Sequence, residues 1–409
     1  MTIQRTSGPD RKEDFGLIYL LNNVTSEISP LSVEEREEPL VNIGGGFGDG
    51  PSDPTPNNSE QRLGNYRRMT PSGFGFNYGD WTIIPQKTFI GEVKLWGAGG
   101  GSHGNGRNSS AGGGGHTRGE VTFLEGVPYT FWVGQGGSRP WRNYSTNGAR
   151  WTYRANGTFG NGGAGGVDGG SGGGLSGLFF NTLGNDGGPG GGHNNGGYGT
   201  SDYAGGISTW FRSPSQNNAL LIAGGGGGAG HHNSNHHGQG GGGGGTQGNV
   251  GHNSGRGTQS GGGSGGYNSA QAGFYMHGGS GGNGSHGGGG GGGWFGGGGG
   301  GHTSNHYNGG GGGSGHALDL HSTTGFRNFW IKEKYGEDFV RNSFTETSPS
   351  DHGNRVNMSA GRGDKDWDYA GLGGGFGNTV SNTNNSKFIG YHSPWYTGMN
   401  GRFVLRVIS

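Results

Sequence analysis

The sequence predicts a mainly β chain: a small β-sandwich carrying an inserted bundle of extended glycine helices and long irregular loops, with almost no α-helix. Three observations point there. Glycine supplies 111 of 409 residues, much of it in uninterrupted runs. Short segments of alternating apolar residues stand between those runs. The aromatic share, 11% with 10 Trp, 15 Tyr and 20 Phe, is far above that of a flexible Gly/Ser linker. A conventional domain is excluded from the other side, because 26% hydrophobic residues cannot offset the entropy of so long a chain. Collagen is excluded by the lack of a Gly-X-Y period and by only 14 prolines.

The strands are read from alternation. Trp81-Thr82-Ile83-Ile84, Gly91 to Trp96, Gly119 to Phe123, Tyr129 to Val133, Ala219 to Ala223 and Arg402 to Val407 each fit a half-buried strand. A turn through Gly126 joins two of them. Few strands separated by long excursions predict a sandwich with insertions grown from its loops.

The excursions hold the glycine runs: Gly224–Gly228, Gly240–Gly245, Gly287–Gly293, Gly296–Gly301 and Gly309–Gly313, with shorter runs at Gly112–Gly115 and Gly172–Gly174. A threefold left-handed extended helix rises about 3.1 Å per residue and has no internal hydrogen bonds. Its backbone groups point outward, so only a bundle of such helices satisfies them, and only glycine lets backbones approach that closely. Gly290 is expected in the middle of the bundle, and Gly255 in an open polar connector.

Residues 1–78 read as an arm. They hold an apolar patch from Phe15 to Leu21, an acidic helix candidate from Ser32 to Glu38 stopped by Pro39, and a turn-rich tract from Pro51 to Asn58. Such a segment cannot build its own core and is expected to wrap a partner. Residues 79–409 form the glycine-rich module, with 317–370 as a decorating loop that has its own small hydrophobic cluster.

Formal net charge is zero and no basic stripe is present, so no nucleic-acid partner is expected. Without cysteine there is neither a disulfide nor a thiolate metal site. The charged start, Asp10 to Asp14, lacks a secretory h-region, and synthesis in a cytoplasm without a signal peptide is expected. Gly-x-Gly-x-x-Gly matches are numerous at this composition, and none follows a strand within a βαβ unit. No nucleophile, base and carboxylate share a recognisable frame. The chain therefore reads as a non-enzyme with no cofactor. The His231-His232 and His236-His237 pairs fit a metal on a symmetry axis or a plain polar connector, and no metal site is assigned. Arg362-Gly363-Asp364 is a three-residue match to the integrin-binding tripeptide and reads as chance.

Leu95-Trp96-Gly97-Ala98-Gly99-Gly100, Gly119-Glu120-Val121-Thr122-Phe123, Phe131-Trp132-Val133-Gly134-Gln135-Gly136-Gly137 and Leu221-Ile222-Ala223-Gly224 follow one another in order. Over roughly residues 80–409 this order resembles the glycine-rich extracellular domain of the anaplastic lymphoma kinase receptor family. The resemblance implies a jelly-roll sandwich carrying polyglycine II helices. The chain has no kinase segment, so a ligand-binding module of receptor type is a distant alternative. Together with the closing strand Arg402 to Arg406, the same blocks are similar to glycine-rich modules of bacteriophage tail fibres and adhesins. That likeness implies a virion protein, assembled in a host cytoplasm and exposed outside. It would be homo-oligomeric, docked to other virion subunits through the arm, and would present loops to a bacterial surface protein or glycan. A purely structural collar, capsid-fibre or sheath subunit is the alternative.

Recognition is expected from aromatic residues beside Asn and His. Tyr307, with His306 and Asn305 in a short connector, is the first candidate, and Trp210 and Trp330 follow. Trp294-Phe295, held between two runs, is expected to plug the sandwich or cap the bundle.

Overall fold

Alternation builds the strands, and the computed structural model describes residues 2–5, 41–44, 79–85, 87–102, 110–134, 136–137, 162, 171–180, 218–230, 238–267, 270–282, 287–303, 306–320, 326–349, 358–367, 369–374 and 398–408. Thirteen strands are formed among them. These are β1 (Thr2–Arg5), β2 (Val41–Gly44), β3 (Gly79–Ile84), β4 (Phe89–Trp96), β5 (His116–Phe123), β6 (Tyr129–Val133), β7 (Ser176–Phe180), β8 (Ala219–Ala223), β9 (His302–Thr303), β10 (His306–Tyr307), β11 (His316–Ala317), β12 (Val340–Glu346) and β13 (Arg402–Val407). Also among the described residues is a helix, α1 (Phe326–Tyr335), followed by a 3-10 turn, Glu337–Phe339.

Two antiparallel sheets face each other. One has the order β1-β3-β6-β7-β8-β11 and the other β12-β5-β4-β13-β2. Val93, Leu95, Val121, Phe123, Phe403 and Leu405 from the five-stranded sheet meet Tyr129, Phe131, Val133, Leu178 and Phe180 from the six-stranded one. Phe131 stacks on Phe403 across the gap, ring centres 4.3 Å apart. The outer faces are covered too. Trp132, Phe179 and Ile222 turn away from this core and pack with Met276 and Trp294. Trp96 and Val404 pack under Ala370 and Trp367. Strands buried on both faces lose polar alternation, which explains the fully buried β6, β7 and β8.

Within the first 78 residues, β1 pairs with β3 and β2 pairs with β13, so at both places the segment extends a sheet of its own chain. The Phe15–Leu21 patch and the Ser32–Glu38 helix candidate lie outside the described residues. Residues 317–370 do more than decorate. Strand β12 pairs with β5 as an edge of the five-stranded sheet, and Ile331, Phe339 and Val340 join the main core. Their apolar side chains bury against a sandwich end and belong to its core rather than to a cluster of their own.

The strands do not stop at the sandwich. Strands β4, β6 and β8 run into glycine segments, and β5, β7, β11 and β13 emerge from them. These segments bond laterally by rule. Gly225 and Gly228 donate to Gly292 and Gly289, Gly226 and Ala229 to Ala98 and Gly101, and Gly227 and Gly230 to Gly241 and Gly238. The neighbour repeats every third residue. The carbonyls behave alike: Gly224 and Gly227 accept from Gly115 and Gly112, Gly225 and Gly228 from Gly313 and Gly310, and Gly226 from Gly173. One run thus has six neighbours, three reached through its N–H groups and three through its carbonyls. The run 308–314 follows the same period, with Asn308, Gly311 and Ser314 donating to Gly301, Gly298 and Phe295. A strand, with its groups 180° apart, bonds in one plane only.

Among described run glycines only Gly244, Gly245 and Gly371 take left-handed φ values. Glycine is otherwise required for the side chain it lacks. A Cβ on Gly290 would lie 2.0 Å from the Gly297 carbonyl oxygen. Gly255 is not the open connector position expected: it donates to Ser264 and accepts from Gly298, and a Cβ there would lie 2.3 Å from the Ser264 nitrogen.

Candidate functional site

Two places have the character of a site: the far end of the glycine lattice and a cleft on the flank of the sandwich. At the far end, the runs 296–301 and 308–314 are joined by a hairpin of β9 and β10, with Tyr307 opposite His302 and His306 opposite Thr303. The backbones of His306 and Tyr307 therefore sit at a lattice tip. Described segments of the lattice also end on that side, at 102 and 110, 230 and 238, and 282 and 287. Asn305, Trp210 and the His231–His237 tract lie outside the described residues. Trp330 falls on α1, whose last turn packs at the sandwich end through Ile331 and Tyr335. The expected recognition residues that are described thus lie on different parts of the fold: Tyr307 and His306 on the lattice hairpin, Trp330 on the helix. Trp294 is fully buried, stacked on His316 at 3.8 Å, and seals the lattice onto the six-stranded sheet.

The cleft grows from cross-strand rows on the outer face of the five-stranded sheet. Alternation along β5 sends His116, Arg118 and Glu120 outward. Glu346, His116, Trp96 and Arg402 form one row, and Phe344, Arg118, Lys94 and Val404 the next. Residues 358–367 fold over these rows. Trp367 donates its indole N–H to Ser359 Oγ at 2.7 Å and to the Ala370 carbonyl at 2.9 Å. Gly361 crosses directly above His116 at φ +64°, where a Cβ would lie 2.6 Å from the imidazole.

Ion pairs clamp this segment down. Lys94 Nζ reaches both Asp364 oxygens, at 3.0 and 2.8 Å, and Asp366 at 3.0 Å. Arg406 grips Asp366 with two guanidinium nitrogens. Burial alone would raise the Asp366 carboxyl, but Arg406 and Lys94 outweigh it and hold it well below the usual carboxylate range. Burial likewise opposes the Lys94 charge, and its hydrogen bonds to Asp364 and Asp366 more than compensate. With its carboxylate committed to Lys94, Asp364 does not present the Arg362-Gly363-Asp364 tripeptide outward.

The remaining opening is a cleft of about 400 Å³ lined by His116, Arg118, Phe344, Glu346, Arg362 and Asp364. Arg118 lies over the Phe344 ring, its guanidinium carbon 5.6 Å from the centroid. Glu346 accepts the Gly361 N–H at 3.2 Å. His116 is buried, stacked on Trp96 at 4.6 Å, and its Nε2 has no partner among the described residues. Burial, aided by Arg118 and Lys94, lowers its pKa to about 4, so it is neutral at pH 7.

That shift has a sign. Folded His116 refuses a proton that the unfolded chain accepts below its ordinary pKa of 6.5, so its contribution is complete above that pH and is lost as the pH falls towards 4. The expected loss approaches about 3 kcal/mol. Denaturant unfolding of wild type and His116→Gln from pH 8 to 4 isolates it: the wild type has the steeper decline, and parallel curves would remove the assignment.

Sequence reading missed this cleft because its residues come from three separate segments. The one local signal was the outward run His116, Arg118 and Glu120 on a single strand. No protein-family model matches the sequence, and no curated protein matches it at a significant level.

Proposed function

We propose that the chain is a non-enzymatic virion appendage subunit, tail-fibre or adhesin-like, whose glycine lattice is a polyglycine II bundle that holds recognition loops away from a jelly-roll base. The observation that carries this reading is the bonding period of three. Six neighbours per run suit a threefold extended helix, whose backbone groups point in three directions. A lattice so bonded is a stiff spacer, and β9 and β10 at its far end pair with each other and with neither main sheet. A run of six residues at that helical rise spans about 19 Å. The resemblance of the ordered sequence blocks to phage tail-fibre and adhesin modules supplies the context. In this reading the tip residues His306 and Tyr307 meet a bacterial surface, and residues 1–78 serve partly as edge strands and partly as an attachment to other virion subunits.

Antibody labelling of native particles in the electron microscope tests the placement, with label at a distal tip expected. Label along a collar or sheath would establish the purely structural alternative instead. The recognition role is tested by replacing His306 and Tyr307 with serine. Particle adsorption to host cells should drop about tenfold, the loss of one good contact, with unchanged thermal unfolding. Unaltered adsorption removes these two residues from the recognition surface.

A further inference from the structure

We propose that the cleft on the outer face of the five-stranded sheet binds an anionic saccharide, with Phe344 stacking on the sugar ring and Arg118 and Arg362 holding its carboxylate. The first ground is a difference in charge pairing. On this face Lys94, Arg406 and Arg341 each have a carboxylate partner, at Asp364 and Asp366, at Asp366, and at Glu120. Arg118 and Arg362 have none among the described residues, are exposed, and line the same opening.

The second ground is Phe344. It is 44% exposed on an edge strand whose other outward neighbours are polar, and it is held between Arg118 and the edge of the His116 ring. An aromatic face kept in water beside hydrogen-bonding groups matches a pyranose, which has an apolar face of C–H groups and a rim of hydroxyls. Glu346, next to Phe344 on the same face of β12, supplies an acceptor for those hydroxyls. The guanidinium fork suits a carboxylate bidentately. A bare phosphate would engage the arginines and leave Phe344 unused.

The wall opposite β12 is rigid. Asp364 and Asp366 tie residues 361–364 to Lys94, so the opening is formed without a ligand and little ordering cost attends binding. The choice of a surface glycan rests on the recognition reading above. The experiment on isolated protein fails or succeeds independently of where the chain sits in a particle.

Titration of the intact protein with methyl glucuronide, methyl glucoside and inorganic phosphate, followed by calorimetry or saturation-transfer NMR, decides the matter. The glucuronide should bind, with the glucoside weaker by about tenfold or more. Phe344→Ala and Arg118→Ala should each weaken glucuronide binding by a similar factor with thermal unfolding unchanged. Arg118→Lys, which keeps the charge and loses the fork, should weaken it as well and covers a failure of the alanine variant to fold. No glucuronide binding, binding indifferent to all three substitutions, or phosphate binding as tightly as the sugar would each overturn the proposal.

Discussion

Gly290→Ala should unfold at much lower denaturant concentration than wild type, whereas Gly261→Ala should be nearly indistinguishable from it. Gly290 lies inside the lattice, donating to Gly279, and its chain neighbours are bonded too, Gly289 accepting from Gly228 and Gly291 donating to Gly311. Its new methyl would meet the Gly297 oxygen at 2.0 Å, the Gly297 carbon at 2.5 Å and the Gly298 oxygen at 2.9 Å. All three are backbone atoms, so no side chain can rotate aside. Relief requires the runs to separate, and Gly297 is bonded on both sides, donating to Gly291 and accepting from Gly279. Leaving buried partners unpaired costs about 1–3 kcal/mol each, and two or three such losses total about 2–9 kcal/mol. At Gly261 an added Cβ meets nothing within 4 Å, and its φ is not in the left-handed region. Its effect should stay within about 0.5 kcal/mol. Comparable small effects at both positions would mean that the runs do not bear on stability, and the scaffold reading would fall with them.

Asp366→Ala should be the second large loss. The carboxylate is shared by Arg406 and Lys94, with side-chain exposures of 9%, 10% and 8% for Asp366, Arg406 and Lys94. Lys94 retains Asp364, whereas Arg406 keeps Glu92 at 3.8 Å and loses both bonds of the Asp366 grip. Breaking a buried ion pair by removing one partner costs about 3–5 kcal/mol. The Arg341–Glu120 pair, at 2.7 Å on the same sheet, is a direct contrast. Arg341 is 43% exposed, and Arg341→Ala should cost about 0–1 kcal/mol. Because Asp366 is held below the ordinary carboxylate range, its share of stability is complete above that range and is lost only as the pH falls through the lowered value. An Asp366→Ala variant as stable as Arg341→Ala would show that the 358–367 cover is not clamped to the sheet.

The legible part of the fold was the part with local signals. Trp81 to Ile84, Gly91 to Trp96, Gly119 to Phe123, Tyr129 to Val133, Ala219 to Ala223 and Arg402 to Val407 all fall within strands of the two sheets. Strand β7 was not read, because Ser176-Gly177-Leu178-Phe179-Phe180 follows a glycine run directly and is buried on both faces, so it does not alternate in polarity. Strand β12 was hidden by a register shift between Arg341 and Phe344, around Asn342 at φ 52°, which breaks its period. Gly255 was misread because a glycine flanked by polar residues looks like a connector, whereas its lattice role depends on segments more than 40 residues away, at Gly298 and Gly311. The cleft was illegible for a like reason. Arg118, Phe344 and Arg362 meet only because β12 pairs beside β5 and the following segment folds back over both.

The three-residue bonding period also governs how such a chain can change length. Three residues inserted in a run complete one bonding period and return every later N–H to the neighbour it already served. One or two residues put everything downstream out of step with that period and aim its groups at the wrong partners. The outward run 296–301 and the returning run 308–314 are joined at a tip by β9 and β10, so that tip segment can be exchanged without altering the count in either run. Descendants of this sequence should therefore vary freely at the tips, and should gain or lose lattice depth in matched steps of three.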